Sequence, residues 1–317
     1  MSGAALSSRA VQGMYFERLS QPSALGWMAD ISTEMQSDQA QETYVWLGMT
    51  PAMTRWQGQR TVKRFTSQQI VVPNLHFESS LHVDLVDLRR DKTGQLAIRI
   101  AEQVERAQQH WLSLGATLLL AGETTVCYDG DYFYGTAHGE GASGTQANLI
   151  TVDISELPVT NKGSTTAPSV AQMREVILAG VAKLYSFLDD QGQPLNETAK
   201  NFKVVANTTL MPTVMAAITA PFVDGGDTNI IPAARNNISI TGAFTPRFNS
   251  LTDSVDIFCT DGAVKPVIRQ SETDVMLKVL AEGSDYEVNN DGHFYGLDAW
   301  RNVAFGRWQK AVRARMI

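Results

Sequence analysis

Cysteine is nearly absent: Cys127 and Cys259 are the only two in 317 residues. Two thiols cannot build a disulfide framework or a Cys-rich zinc site, so a reduced setting is the simplest reading. Long apolar runs are also missing. No stretch approaches the ~18 residues of a membrane span, and the opening MSGAALSSRAVQGMYF lacks the apolar core of a secretory leader. An excess of positive charge is missing too. The 26 basic and 33 acidic residues leave a net charge of −7, the wrong balance for a dedicated nucleic-acid binder. No internal repeat or low-complexity tract is visible. The expectation is a soluble product, intracellular where it is made.

What remains is globular material. At 44% hydrophobic and 19% charged the chain is too apolar to be disordered. A prior of roughly 150 residues per domain predicts two domains, or one elongated unit with insertions. A chain of this length buries a large core without difficulty.

Residues 1–43 read as an arm. Tyr15–Leu19 and Leu25–Met35 suggest short helices that need a surface to lie on, because helices this short are marginal alone in water. Residues 44–90 are turn-rich and aromatic at first. Two β-like runs follow, RTVKRFTSQQIVV and HFESSLHVDLVDL, joined through Pro73 and Asn74 and read as a long hairpin or an extended loop. Arg55, Arg60, Lys63 and Arg64 on one limb would face Glu78, Asp84 and Asp87 on the other. Over 94–120, Ala97, Ile100, Val104, Trp111 and Leu118 recur at helical spacing with charged residues opposite. This predicts an amphipathic helix about 40 Å long, capped by Asp91 or Thr93. Helices are also expected at 169–189 and 210–220, and strands at 202–205, 230–260 and in the C-terminal runs. The class is α+β, with one spine helix between distant strand groups.

Catalytic motifs do not stand out. The histidines His76, His82, His110, His138 and His293 have no helical zinc spacing. Asp129, Asp131 and Glu140 fall at positions 1, 3 and 12 of a calcium loop. Phe133 and Tyr134 occupy the places of a ligand and of the turn glycine, so no metal is expected. Cys127 with His138 forms a conceivable nucleophile and base, but Cys127 follows an apolar run and reads better as a buried small hydrophobe. No P-loop, G-x-S-x-G or dinucleotide fingerprint occurs. Neither a cofactor nor an enzyme activity is expected. Two basic groups, Arg89–Arg90–Lys92 and the tail Arg301, Arg307, Lys310, Arg313, Arg315, read first as solvated or ion-pairing surface. Weak contacts of the tail with packaged nucleic acid are the second reading.

Five segments in order then carry a family resemblance: TYVWLGMTPAMTRWQGQRTVKRF, VPNLHFESSLHVDLVDLRRDKTG, CYDGDYFYGTAHGE, KPVIRQSE and HFYGLDAWRNVAFGRWQKA. Spread over residues 43 to 310, they resemble the major head subunits of Mu-like phages and prophages. Residues 1–42 and 190–250 match in length and character only. The resemblance implies the HK-97-type capsid fold. Its N-terminal arm would be 1–47 and its extended loop 48–90. A peripheral domain would comprise 91–164 and 265–317, and an axial domain 165–264. It also implies a shell subunit that forms hexamers and pentamers and encloses double-stranded DNA without sequence-specific binding. Such a subunit resides in the virion capsid and is made and assembled in the host bacterial cytoplasm. A separate scaffolding protein, a portal and a decoration protein are the further partners to expect, with no membrane.

Arm and loop apolar residues should be buried on neighbouring subunits. Trp46, Trp56, Phe65 and Phe77 are the candidate anchors, since aromatics dominate interface energies; the alternative is that they pack inside their own subunit, and for Trp46 the two readings weigh equally. Arg55, Arg60, Lys63 and Arg64 are candidate partners for acidic residues of the adjacent spine helix. Segments 130–150 and 224–237, rich in Gly and Asn, would suit axial tips or contacts at symmetry axes. The alternative of the same fold is an encapsulin-like shell with protein cargo. An enzyme built on loop 127–140 and a monomeric binding module are the remaining readings.

Overall fold

The computed structural model describes residues 7–21, 25–45, 69–90, 94–223, 226–233 and 238–317. The chain opens with α1 (Ser8–Leu19), the single turn α2 (Met28–Ile31) and β1 (Ser32–Gln36). Next come β2 (Gln41–Tyr44), β3 (Ile70–Pro73), β4 (Leu75–Asp84), α3 (Leu85–Arg90) and the long α4 (Gln95–Leu120). Short strands β5 (His138–Gly139), β6 (Thr145–Gln146) and β7 (Leu149–Val152) precede α5 (Val170–Ser186) and β8 (Asn201–Ala206). The middle continues through α6 (Met211–Thr219), β9 (Phe222–Val223), β10 (Asp227–Thr228), α7 (Ile230–Ala233), β11 (Ser239–Phe244) and β12 (Ser254–Cys259). It closes with β13 (Val267–Leu280), α8 (Asp285–Asn290), β14 (Gly292–Phe305) and β15 (Ala311–Met316).

Two sheets organise these elements. The first runs β1-β13-β14-β4, with β1 parallel to β13 and the rest antiparallel. The spine helix α4 lies across it. Leu96, Ile100 and Val104 of α4 meet Val83, Tyr295 and Leu297 of the sheet, and Val11 and Tyr15 of α1 complete this core. Further along α4, Gly115 lets Met28 approach so closely that a Cβ there would meet the Met28 sulfur at 2.3 Å. The second sheet runs β11-β8-β12-β15-β7. α5 covers it, seating Gly180 against Ile257. Ser169 and Gln172 form a reciprocal capping box that starts α5, satisfying two otherwise orphaned N–H groups. No helix among the described residues is long and apolar enough to cross a membrane.

Several expectations change. Val11, Tyr15, Trp27, Met28 and Ile31 are buried within their own chain, so these residues of the 1–43 segment do not wait for a neighbour. The Leu25–Met35 stretch is one helical turn followed by a strand, because Ser32–Gln36 is captured in parallel register by Val267–Ser271. Among the described residues, the two β-like runs around Pro73–Asn74 do not pair with each other. β3 pairs with β2 and β4 with β14. Buried Asn74 fixes that divergence, donating to Ser37 Oγ and the Gln39 carbonyl and accepting from Gln270. Helix α4 is preceded by Gly94 in a left-handed conformation (φ 71°); the expected caps Asp91 and Thr93 lie outside the described residues.

Candidate functional site

Trp46, Trp56, Phe65, Arg55, Arg60, Lys63 and Arg64 lie outside the described residues, as does Lys92. The strands that flank most of them are placed. β2 and β3 are antiparallel, Tyr44 opposite Ile70, so the segment between them leaves and returns at one point of the fold. Phe77 is half-buried on the α4 side of β4, its ring edge-on to His110 at 4.4 Å. It lines a cavity of about 160 Å³ with Glu78, Arg106, His110 and Arg301. Burial, then the charges of Arg301 and Arg247, depress the His110 pKa to about 4. The ring is therefore neutral at pH 7. The exposed face of α4 carries Glu102, paired with Arg106 at 2.5 Å, and Glu105, which accepts from Gln109. These carboxylates remain open to a basic partner from outside the chain.

Exposed apolar side chains gather between 211 and 230: Met211, Met215, Phe222 and Ile230.

The basic tail behaves quite differently from a DNA-facing surface. Arg301, Lys310 and Arg313 are buried. Arg313 grips Asp256 through two hydrogen bonds of 2.7 and 2.8 Å, donates to the Leu119 carbonyl at the end of α4, and lies 4.1 Å from the Tyr134 ring centre. Arg313 and Arg315 both reach Glu123. Burial alone would raise the Glu123 pKa, but the arginine hydrogen bonds outweigh it and hold the carboxyl below its ordinary value. Arg301 donates to the Ala107 carbonyl and covers the Trp111 ring. These guanidiniums lock the spine helix to both sheets, which takes the buried Arg301, Lys310 and Arg313 out of reach of packaged nucleic acid. The legible signal was charge alternating inside an apolar strand: AVRARM in β15 against SVDIFC in β12.

Loop 127–148 is equally committed. His138, fully buried, bonds Asp129 at 2.6 Å and stacks on Trp308 at 4.1 Å. Glu140 accepts from Tyr128 and Gln309, and burial raises its pKa. Asn148 bridges the Gly135 N–H and the Phe133 carbonyl. The loop is thus fastened onto the C-terminal segment and is not a free axial tip. Asp131 is used up by the N–H groups of Tyr132 and Ala137. The calcium-loop positions are therefore divided among internal bonds, and no group of three metal-ligating side chains occurs among the described residues. Cys127 is buried, directs its thiol toward the Gly306 carbonyl, and has its pKa pushed up by that burial. A thiol in that state is a poor nucleophile. The arrangement suits mechanical fastening and surface contact, and nothing in it prepares an acid, base or nucleophile for a substrate.

Comparison with known proteins agrees with this picture. The model of the family described as the Mu-like prophage major head subunit gpT matches residues 9–177. The chain is 33% identical over 114 residues to the Mu-like prophage FluMu major head subunit of Haemophilus influenzae, a stretch covering 36% of this chain and 37% of that one. It is 29% identical over 130 residues to the major capsid protein of Escherichia phage Mu, covering 39% and 43%. The matched stretches thus span less than half the length of either relative. Among solved structures, the procapsid of bacteriophage JBD30 superposes with a TM-score of 0.56 at 20% identity, over 97% of this chain and 74% of that one. The fold is that of the HK-97-type phage capsids.

Proposed function

Because the chain belongs to the Mu-like major head subunit family, a structural family and not an enzyme family, we propose that it is the major capsid protein of a Mu-like phage or prophage. Copies of it assemble into hexamers and pentamers that close an icosahedral shell around double-stranded DNA. The family match over 9–177, which runs through the spine helix and loop 127–148, carries the reading. The encapsulin-like alternative is not favoured, since the family and both relatives are phage head proteins.

Within this reading, residues 1–47 form the arm, 48–90 the extended loop, 91–164 and 265–317 the peripheral domain, and 165–264 the axial domain. The antiparallel base formed by β2 and β3 supports a loop that leaves and returns between them. One refinement follows from the sheets. β7 and β15 pair into the same sheet as β8 and β12, so we assign both strands to the axial unit. Trp46, Trp56, Phe65 and Phe77 with Arg55, Arg60, Lys63 and Arg64 would contact the neighbouring subunit, the basic residues facing Glu102 and Glu105 of its α4. The partners are further copies, a separate scaffolding protein, a portal and a decoration protein. Assembly takes place in the host bacterial cytoplasm.

Negative-stain electron microscopy and sedimentation, with the subunit alone and with its scaffolding protein, test the reading. Closed shells or hexamer and pentamer rings are expected. A subunit that stays monomeric under all conditions, scaffold included, refutes it.

A further inference from the structure

The last rung between β12 and β15 brings a thiol and an amine together. The two strands run antiparallel, with Ile257 opposite Val312 and Phe258 opposite Ala311. One step further, Cys259 ends β12 and Lys310 directly precedes β15. Lys310 Nζ lies 3.6 Å from Cys259 Sγ. Cys259 is fully buried and Lys310 is 8% exposed. Strand register sets this contact, since side chains opposite one another on an antiparallel pair are neighbours.

A buried ammonium group ordinarily faces a carboxylate. Among the described residues Lys310 has none within ion-pair distance, and the Cys259 sulfur is its one hydrogen-bond partner. Asp261, a carboxylate that feels the Lys310 charge, is taken up by the backbone N–H groups of Lys200 and Asn201 and by the Asn201 side-chain amide. A Cβ at Gly262 would come 3.7 Å from Lys310 Nζ, so the turn after β12 backs the amine. Cys127 offers a contrast. Its thiol faces the Gly306 carbonyl, which supplies no nucleophilic nitrogen.

We infer that Cys259 and Lys310 form a redox-responsive covalent fastening between β12 and β15, closed by an S–N bond when the protein meets a peroxide oxidant. In the first step the thiol and hydrogen peroxide give a sulfenic acid and water. The sulfur loses two electrons and the peroxide O–O bond takes them up. A sulfenic acid condenses with a neighbouring nitrogen, and a primary amine is a stronger nucleophile than a backbone amide. The Lys310 ammonium releases one proton to solvent, and the amine attacks the Cys259 sulfur. The S–O bond breaks, and the departing hydroxide leaves as water with a second amine proton. Contact at this range replaces a bimolecular encounter. Burial slows peroxide entry to both cysteines, so the bond should accumulate over hours, and a thiol reductant should reopen it. A reducing cytosol would keep the pair open and an oxidising exterior would close it. The inference does not rest on the shell reading.

The test is peptide mapping of the unassembled subunit after incubation with hydrogen peroxide. The expected product is a peptide pair joining Cys259 to Lys310, lighter by two hydrogens than its separate parts and released by dithiothreitol. The joined positions are 51 residues apart, so the linked chain closes a loop and should migrate faster on a denaturing gel without reductant. Its Tm should rise by about 5 °C. Lys310→Arg keeps the positive charge without the attacking amine, and should give no fast band while Cys259 advances to sulfinic acid. In the unsubstituted chain, a Cys259 that stays a thiol, or advances to sulfinic acid with no linked peptide, overturns the inference. So does a linked pair that retains an oxygen atom, or a fast band that persists in Lys310→Arg. The map of the unsubstituted chain decides the matter even where the variant fails to fold.

Discussion

Replacing Asp256 by Leu leaves the Arg313 guanidinium buried at the junction of β12, β15 and the end of α4 without its bidentate partner. Removing one member of a buried pair costs about 3–5 kcal/mol, because an uncompensated charge is left behind. Glu123 still reaches Arg313 at 3.1 Å, so Asp256→Leu should fall at the lower end, about 3 kcal/mol. Arg313→Met strands the Asp256 carboxylate and also frees the Leu119 carbonyl and one arm of Glu123. It belongs at the upper end, about 5 kcal/mol. With an unfolding entropy of roughly 2 cal/mol/K per residue, these losses lower Tm by about 4–8 °C in a chain of this size. The double variant Asp256→Leu with Arg313→Met removes both charges, and an apolar replacement of a buried pair is often near neutral. The assay is thermal unfolding of the unassembled subunit for all four members of the cycle, at low and at high salt. The depressions should persist at 1 M salt, since buried pairs are screened little. Single variants within 1 °C of the parent, or a double variant as unstable as the sum of the singles, would refute the reasoning.

Three further outcomes follow from the same structure. Burial raises the folded-state pKa of Glu140, so the stability it contributes is fully present below its unfolded pKa and is lost as pH rises through the folded value. Glu140→Gln, which keeps an acceptor for Tyr128 and Gln309, should therefore gain Tm relative to the parent as pH goes from 4 to 8 in melting curves. His110 has the opposite sign. Its folded pKa of about 4 lies below the unfolded ~6.5, so its stability is present above pH 6.5 and is lost as pH falls toward 4. His110→Gln should flatten the acid limb of Tm against pH in that window, and an unchanged limb would show that the ring does not titrate there. A Cβ at Gly306 would lie 2.3 Å from the Lys265 carbonyl oxygen. Backbone cannot swing aside as a side chain can, so Gly306→Ala should cost about 1–3 kcal/mol by denaturant unfolding.

Legibility in the sequence tracked how local each determinant is. The spine helix could be read because its determinant is local: Ile100, Val104 and Trp111 repeat on one face and need no partner to be recognised. Helix α5 was equally plain, bounded by Ser169 and ended before Gly192 and Pro194. Strand partners were not legible. The run ending at Ile70–Pro73 and the run from Leu75 look alike as strands, and only Asn74, held by Ser37, Gln39 and Gln270 from distant parts of the chain, sends them to different sheets. Ser32–Gln36 carries no strong strand signal, and its state is decided by Val267–Ser271 more than two hundred residues away.

The arginines of the last strand show the same limit in charge. Arg313 and Arg315 look like a basic tail when counted along the chain. A strand places alternate residues on one face, and that face of β15 points at Asp256 and Glu123. Such a charge reads as surface until its counter-charge is located, and here the counter-charges lie 57 and 190 residues away. The same reasoning separates the two roles of charge in this subunit. Pairs sealed inside, such as Arg313 with Asp256, hold the spine helix to the sheet regardless of neighbours. The exposed charges on α4 do little for a single copy, since surface pairs contribute about 0–1 kcal/mol. A subunit built to be stable alone and to recognise its own kind has reason to keep these two sets apart.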